Sequence, residues 1–219
     1  ILLEKPEDEL ELSDGAVRAR SDSNQFITLA DLALQLSPAV AGKLPEGFET
    51  AGLEAVSYQT TDYMPHSSGA NIAKVEVDVV TGGIKILDYY VVHDCGRILN
   101  PMIVDGQIIG GVVHGIGNAM FEQMVYDDSG NPMTTNYGDY LLPLASEMPE
   151  IHVAHIETPS PANPMGLKGA GEGGTIPAIG AMINAIEDAL TPFDAYIAKY
   201  PVTPEYILEL VDGEKMAAE

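Results

Sequence analysis

The sequence predicts an α+β fold of mixed sheets with packed helices. Three observations carry that expectation. Residues 73–78 and 84–92 alternate apolar and polar about Thr81-Gly82-Gly83, the pattern of an antiparallel hairpin. Two long apolar stretches, Val104 to Met124 and the one opening near Pro177, have helical length or spacing. Strands and helices follow one another without regular β-α-β alternation, and no period of 20–50 residues repeats.

The N-terminal part, residues 1–60, reads as a hairpin, a short helix and a linker; residues 61–219 read as a second region. Leu10 and Leu12 alternate before Ser13-Asp14-Gly15, and Val17 and Ala19 after it, which predicts a hairpin over Glu7 to Arg20. Thr28-Leu29-Ala30-Asp31 has capping-box spacing with Asp in the last place, so a short helix is expected to about Gln35, before Pro38. Gly42, Pro45 and Gly47 mark a linker over Ala41 to Glu49. Leu53 to Thr61 alternates weakly and reads as a strand. Met64 to Gly69 reads as a loop; His66-Ser67-Ser68 could touch a site, but an exposed loop is the favoured reading.

After the 73–92 hairpin comes His93-Asp94-Cys95-Gly96. Neighbouring residues on a strand point to opposite faces, which disfavours a metal cluster there. Cys95 reads as a buried, inert thiol. The Val104 to Met124 helix contains Gly106, Gly110, Gly111, Gly115 and Gly117. Each interior glycine costs a helix roughly 1 kcal/mol relative to alanine. Such a helix must gain by close packing against backbone or cofactor. Gln107 is placed in its first turn, with an amide that both donates and accepts. His114 lies two turns on and reads as a packed residue. Asp127-Asp128-Ser129-Gly130 makes a turn, and Ile151 to Glu157 a strand with His152 and His155 on opposite faces. A proline-broken loop runs from Thr158 to Pro164, and a last helix is expected over Thr203 to Leu210.

Composition narrows the function. The chain has 219 residues and a net charge of −23, which argues against binding nucleic acid or an anionic membrane. Hydrophobic residues make up 46%, without any Trp, so the core is expected to be aliphatic. One cysteine cannot form an internal disulfide, which favours a reducing, cytoplasmic setting. No membrane span or signal peptide is visible. The start at Ile1, without Met, suggests a piece of something longer or a processed subunit.

The stretch Met165-Gly166-Leu167-Lys168-Gly169-Ala170-Gly171-Glu172-Gly173-Gly174-Thr175 is the strongest functional signal. A helix follows at once, with Ile179, Met182, Ile183, Ile186 and Leu190 at helical spacing, Pro177 in its first turn and Gly174 or Thr175 as the cap. Three readings compete: a plain glycine turn, a dinucleotide fingerprint, and a catalytic carboxylate beside a bound cofactor. The fingerprint needs a strand directly before Gly169, and Pro159, Pro161 and Pro164 break up that lead-in.

Two segments in this order resemble one family. Asp94-Cys95-Gly96, Asn100-Pro101, Gly106-Gln107, Gly110-Gly111 and Gly115-Ile116-Gly117 resemble the pterin-contacting segment of molybdenum hydroxylases, the xanthine dehydrogenase, aldehyde oxidase and aerobic carbon monoxide dehydrogenase group. Lys168-Gly169-Ala170-Gly171-Glu172 resembles that family's active-site loop. The resemblance covers residues 73–192 well and 1–60 loosely. It implies that Glu172 is the catalytic base, that Gln107 contacts molybdopterin, and that Lys168, Gly169, Ala170 and Gly171 line the cofactor. Lys168 is expected to offer its charge to an anionic pterin phosphate or dinucleotide. The resemblance further implies oxidative hydroxylation of an electron-poor carbon in an N-heterocycle or aldehyde, with water as oxygen source. The cofactor would be molybdenum-molybdopterin, as the bare pterin or its cytosine dinucleotide. Residues 61–219 would be the C-terminal molybdopterin-binding region of a larger subunit. Partners implied are the remaining N-terminal part of that subunit, an iron–sulfur subunit and a flavin (FAD) subunit. A non-catalytic interaction module and an NAD-binding domain are the alternatives.

Overall fold

The computed structural model describes residues 2–37, 39, 44, 46, 51–54, 56, 58–61 and 63–217. The chain divides into two compact units, Ile1–Thr60 and Thr61–Glu219.

The first unit is a three-stranded antiparallel meander of β1 (Leu10–Ser13), β2 (Ala16–Ala19) and β3 (Asp22–Thr28), followed by α1 (Leu29–Gln35). β1 and β2 join through Asp14 and Gly15, both at positive φ (49° and 69°), the two-residue turn whose twist matches that of the strands. β3 extends the expected hairpin. It escaped prediction because Asp22-Ser23-Asn24-Gln25 lacks apolar alternation; pairing with β2 and the stacking of the Arg18 guanidinium over Phe26 hold it instead. Thr28 is the N-cap of α1, as the spacing predicts. Thr28 Oγ1 accepts from the Asp31 amide at 3.0 Å and donates to the Asp31 carboxylate at 2.6 Å. Most of the expected linker over 41–49 lies outside the described residues. No described residue of the 53–61 segment is in a strand, which corrects that expectation. Its side chains are largely exposed, so no face rewards alternation.

The second unit is built on β4 (Ser68–Asp78), β5 (Gly83–Asp94) and β6 (Ile151–His155) in that order. β4 and β5 are the predicted hairpin, lengthened at both free ends. The extra pairs Ser68–Asp94 and Gly69–His93 draw part of the expected 64–69 loop into the sheet. β6 lies parallel to β5, and α2 (Pro101–Met120) is the crossover between them. α2 begins three residues before the expected Val104. Asn100 caps it by accepting from the Ile103 amide, and Pro101 opens the first turn, so Gln107 falls in the second turn.

α3 (Thr175–Ala189) packs on α2 and on β4, and α4 (Pro204–Ala217) closes the core. Ile108, Val112, Ile116 and Ala119 of α2 meet Ala178, Met182 and Ile186 of α3 and its C-cap Leu190, all fully buried, above Tyr89 and Val91 of β5. Gly111 and Gly115 explain why α2 tolerates its glycines. A Cβ on Gly115 would lie 2.5 Å from Ala178 Cβ and 2.7 Å from the Thr175 carbonyl, and one on Gly111 would lie 3.0 Å from the Gly174 Cα. The start of α3 therefore rests against α2 backbone to backbone. Gly106 and Gly110, by contrast, face open space.

Candidate active site

The site grows from the end of β5. There Asp94 accepts hydrogen bonds from the Gly96 amide at 2.8 Å, the Thr158 amide at 3.2 Å and the Lys168 ammonium at 3.1 Å, and a very short one from the Thr158 hydroxyl. The Asp94 and Lys168 side chains are only 11% and 13% exposed, so this is a buried pair. Burial alone would raise the Asp94 pKa. The Thr158, Gly96 and Lys168 donors outweigh it and hold the carboxyl well below its usual range. Lys168 also donates to Thr158 Oγ1 at 2.5 Å. Its charge is thus engaged inside the protein, which differs from the expectation that it is offered to a ligand.

The backbone around Lys168 is stitched down as well. Its amide donates to the Cys95 carbonyl at 2.8 Å, the Arg97 amide donates to Gly166 O at 3.0 Å, and Asn163 bonds Leu167 through both amide atoms. Beyond Lys168 the pattern changes. From Gly169 to Gly174 no backbone N–H donates within the chain, among the described residues. The Glu172 carbonyl then accepts from the Thr175 and Ile176 amides at 3.1 Å each, and α3 begins with Gly174 as its cap. No strand leads into Gly169; Leu167 makes a single bridge to Gly96, so the dinucleotide fingerprint lacks its required lead-in.

Gly169, Gly171, Glu172 and Gly173 line one side of a concavity of about 660 Å³. The Glu172 side chain is exposed there and has no hydrogen bond or ion pair among the described residues. Gln107 reaches the same loop from α2: its Nε2 lies 4.0 Å from where a Gly171 Cβ would stand. Ala170 sits half-buried between them. The structure therefore brings Glu172, Gln107, Gly169, Ala170 and Gly171 together, with Lys168 as the anchored root of the loop.

On the opposite wall His66, Ser67, Ser68 and Gly69 line the concavity, so of the two readings of 64–69 the less favoured one, a segment that touches a site, describes its placement better. His93 forms its floor; it is 1% exposed, with its Nε2 against Gly173. A signal for it existed. His93 follows Tyr89 and Val91 at the inward parity of β5, a polar residue in an apolar register. Burial lowers its pKa, His155 lowers it further, and Asp94 raises it.

Other histidines are placed elsewhere. His114 is exposed on α2 rather than packed, and His152 stacks on Tyr90 at 4.7 Å. His155 bonds Asp105 at 2.7 Å. Burial pushes the Cys95 thiol up, as befits an inert thiol. A second hollow, of about 750 Å³ beside Met120 and Phe121, shares no residue with the first. Among the described residues no helix is long and apolar enough to cross a membrane.

Comparison with known proteins decides the family. Residues 1–149 match the family described as "Molybdopterin cofactor-binding domain". This chain belongs to the molybdenum hydroxylase family.

The match includes residues 1–60, where the resemblance had been loose, and stops before Glu172. The chain is 41% identical over 212 residues to the nicotine 6-hydroxylase large subunit of Paenarthrobacter nicotinovorans, covering 97% of this chain and 26% of the relative. It is 36% identical to the carbon monoxide dehydrogenase large chain of Hydrogenophaga pseudoflava, covering 86% and 23%. The structure of quinoline 2-oxidoreductase from Pseudomonas putida 86 superposes with a TM-score of 0.79 at 37% identity, over 96% of this chain and 27% of that one. The chain thus spans about a quarter of the length of these relatives. The α+β architecture is that of the corresponding part of this fold.

Proposed function

We propose that this chain supplies the proton-accepting carboxylate and part of the cofactor seat of a molybdenum hydroxylase. One observation carries the reading: a Glu172 carboxylate unpaired among the described residues shares a concavity with a loop whose N–H groups have no partner among them. Six consecutive amides from Gly169 to Gly174, on a loop with almost no side chains, fit an anionic, flat cofactor that must approach backbone closely. With a net charge of −23, the chain has few cations to spare for such a group. Backbone donors are the economical alternative.

Gly169, Ala170 and Gly171 would hold the molybdopterin through their amides, and Gln107 through its carboxamide. Lys168 acts one step back, fixing the loop's root through Asp94. When bound, the molybdenum pterin supplies two-electron redox chemistry and an acidified hydroxyl. Glu172 accepts the proton that hydroxylation of an electron-poor carbon sets free.

N-heterocycles are the favoured substrate class, since two of the relatives are named for nicotine and quinoline. The chain would work with the rest of a large subunit and with iron–sulfur and FAD subunits, in the cytoplasm, and the pterin would be the cytosine dinucleotide form. In the assembled enzyme Glu172→Gln is expected to abolish turnover while molybdenum and pterin contents stay near normal. Wild-type activity in that variant removes Glu172 from the role.

A second reading rests on the quarter-length coverage: a non-catalytic module that holds no cofactor by itself. Molybdenum and pterin assays on the chain alone and on its complex separate the two. Pterin bound in the complex supports the first reading.

A further inference from the structure

In the second unit α2 and α3 lie on one face of the β4–β5–β6 sheet. Tyr89 and Val91 point towards them, and the alternate residues point to the opposite face. On β4 the exposed residues run Ala70, Ile72, Lys74, Glu76 and Asp78. The far half of that row is charged, as a face open to water should be. The near half is not. Ile72 lies beside Tyr90 and His152 across the sheet, and Ala70 beside Val92 and Ala154. Ile156 follows β6 directly, its amide donating to His93 O at 3.0 Å. Ile72, Tyr90, Val92 and Ile156 are 65%, 44%, 38% and 56% exposed. The change falls where β6 joins, so the outer face is apolar where the sheet is three strands wide. The whole chain holds thirty-three Asp and Glu, yet none of these seven near-half positions carries Asp, Glu, Lys or Arg. A hollow of about 370 Å³ beside Ala70, Val92 and Ile156 lies at the end of the patch.

We infer that this apolar half-face is the seat of another segment of the same large subunit. The inference rests on the reading that this chain works with the rest of such a subunit. About three-quarters of the length of the curated relatives lies outside what this chain matches, so such a subunit has much polypeptide to pack against this part. The patch is small: three strands about 4.8 Å apart and five residues at about 3.3 Å each span roughly 240 Å². A separate chain held by one stable interface buries about 800 Å² on each partner. A segment already tethered needs far less, since it loses little further freedom on docking. A second copy is disfavoured by charge as well as by area. At −23 each, two copies laid face to face repel one another. The chemistry of the occupant follows from the seat. It presents aliphatic or aromatic side chains to Ile72, Val92 and Ile156, and no charge at the centre, where an ion would lose its water without gaining a partner.

The test is cysteine labelling, because Cys95 is the chain's one thiol and is buried. Ile72→Cys places a thiol at the centre of the patch, and Glu76→Cys places one on the charged half of the same strand. Both positions are exposed, so neither change threatens the fold. Each variant is treated with a maleimide as the chain alone and in the assembled enzyme, and the modified peptides are followed by mass spectrometry. Ile72→Cys should react at least about 10-fold more slowly in the assembled enzyme, since a covered site reacts only when its cover opens. Glu76→Cys should keep its rate within about twofold. A photo-crosslinker carried on the Ile72→Cys thiol should capture a peptide of the same large subunit. Equal labelling of Ile72→Cys in both forms, or equal slowing of both variants on assembly, overturns the inference. So does capture of a second copy of this chain, of an iron–sulfur subunit or of a flavin subunit. Ile72→Cys already slower than Glu76→Cys by about 10-fold in the chain alone overturns it too. Should the unsubstituted chain assemble with no such partner, the reading of a shared large subunit fails first, and the docking surface falls with it.

Discussion

Lys168→Met removes the ammonium from a pair that is almost wholly enclosed. Asp94 is left as a buried carboxylate that still accepts from Gly96 and from both donors of Thr158. Removing one partner of a buried ion pair costs about 3–5 kcal/mol. Three surviving donors soften that, so about 2–4 kcal/mol is expected, and it falls on the loop that the pair anchors. At 1.36 kcal/mol per factor of ten, local opening becomes about 30- to 900-fold more frequent. Hydrogen exchange reads this directly at two amides, Lys168 N–H to Cys95 O and Arg97 N–H to Gly166 O. Asp94→Asn together with Lys168→Met should be milder than the sum of the two single changes, because the double variant leaves no orphaned charge. Exchange at both amides within threefold of wild type, or strictly additive single effects, refutes the anchoring role.

The same pair sets an acid limit. Asp94 has a depressed pKa in the folded chain, so its contribution is complete above the unfolded value of about 3.9 and is lost as pH falls below it towards the folded value. Loop exchange should therefore quicken below about pH 4 in the wild type, and the Asp94→Asn variant should lack that acid step. The helix glycines divide cleanly. Gly115→Ala should destabilise by about 1–3 kcal/mol through overpacking on Thr175 and Ala178, whereas Gly110→Ala, facing open space, should stabilise α2 by up to about 1 kcal/mol. Thermal unfolding that ranks them the other way removes the close-packing account. Gly173→Ala places a Cβ 2.1 Å from His93 Nε2, so ring or loop must move. We expect pterin content to fall in the assembled enzyme, and His93→Ala in the same chain to recover part of it; an unaltered content in the single variant would show that the contact is soft.

Much of the fold was legible where side-chain periodicity does the work. The 73–92 hairpin alternates, and the start of α1 carries its cap in four consecutive residues. Elements held by backbone pairing were less visible. Ser68-Gly69-Ala70 has no apolar rhythm and joins the sheet only because the end of β5 lies opposite. The early start of α2 was written in Asn100-Pro101, a cap followed by a first-turn proline, which the search for apolar spacing passed over. In the candidate site, the glycine run and Glu172 stand out in the sequence, and the fold places Gln107 near Gly171. The engagement of Lys168 by Asp94 and Thr158 was illegible, because it depends on where two distant loops return to one strand end.

The close approach of α2 and α3 has a consequence for how such a site diversifies. Glu172 stands just before a helix start that is pressed against another helix through Gly111, Gly115 and Gly174, mostly main chain to main chain, with the small side chains of Thr175 and Ala178 beside it. Ordinary substitutions in the surrounding walls can reshape the opening while the carboxylate keeps its heading. New specificities can accumulate by changing the surroundings alone, and laboratory evolution for them should leave those three glycines untouched.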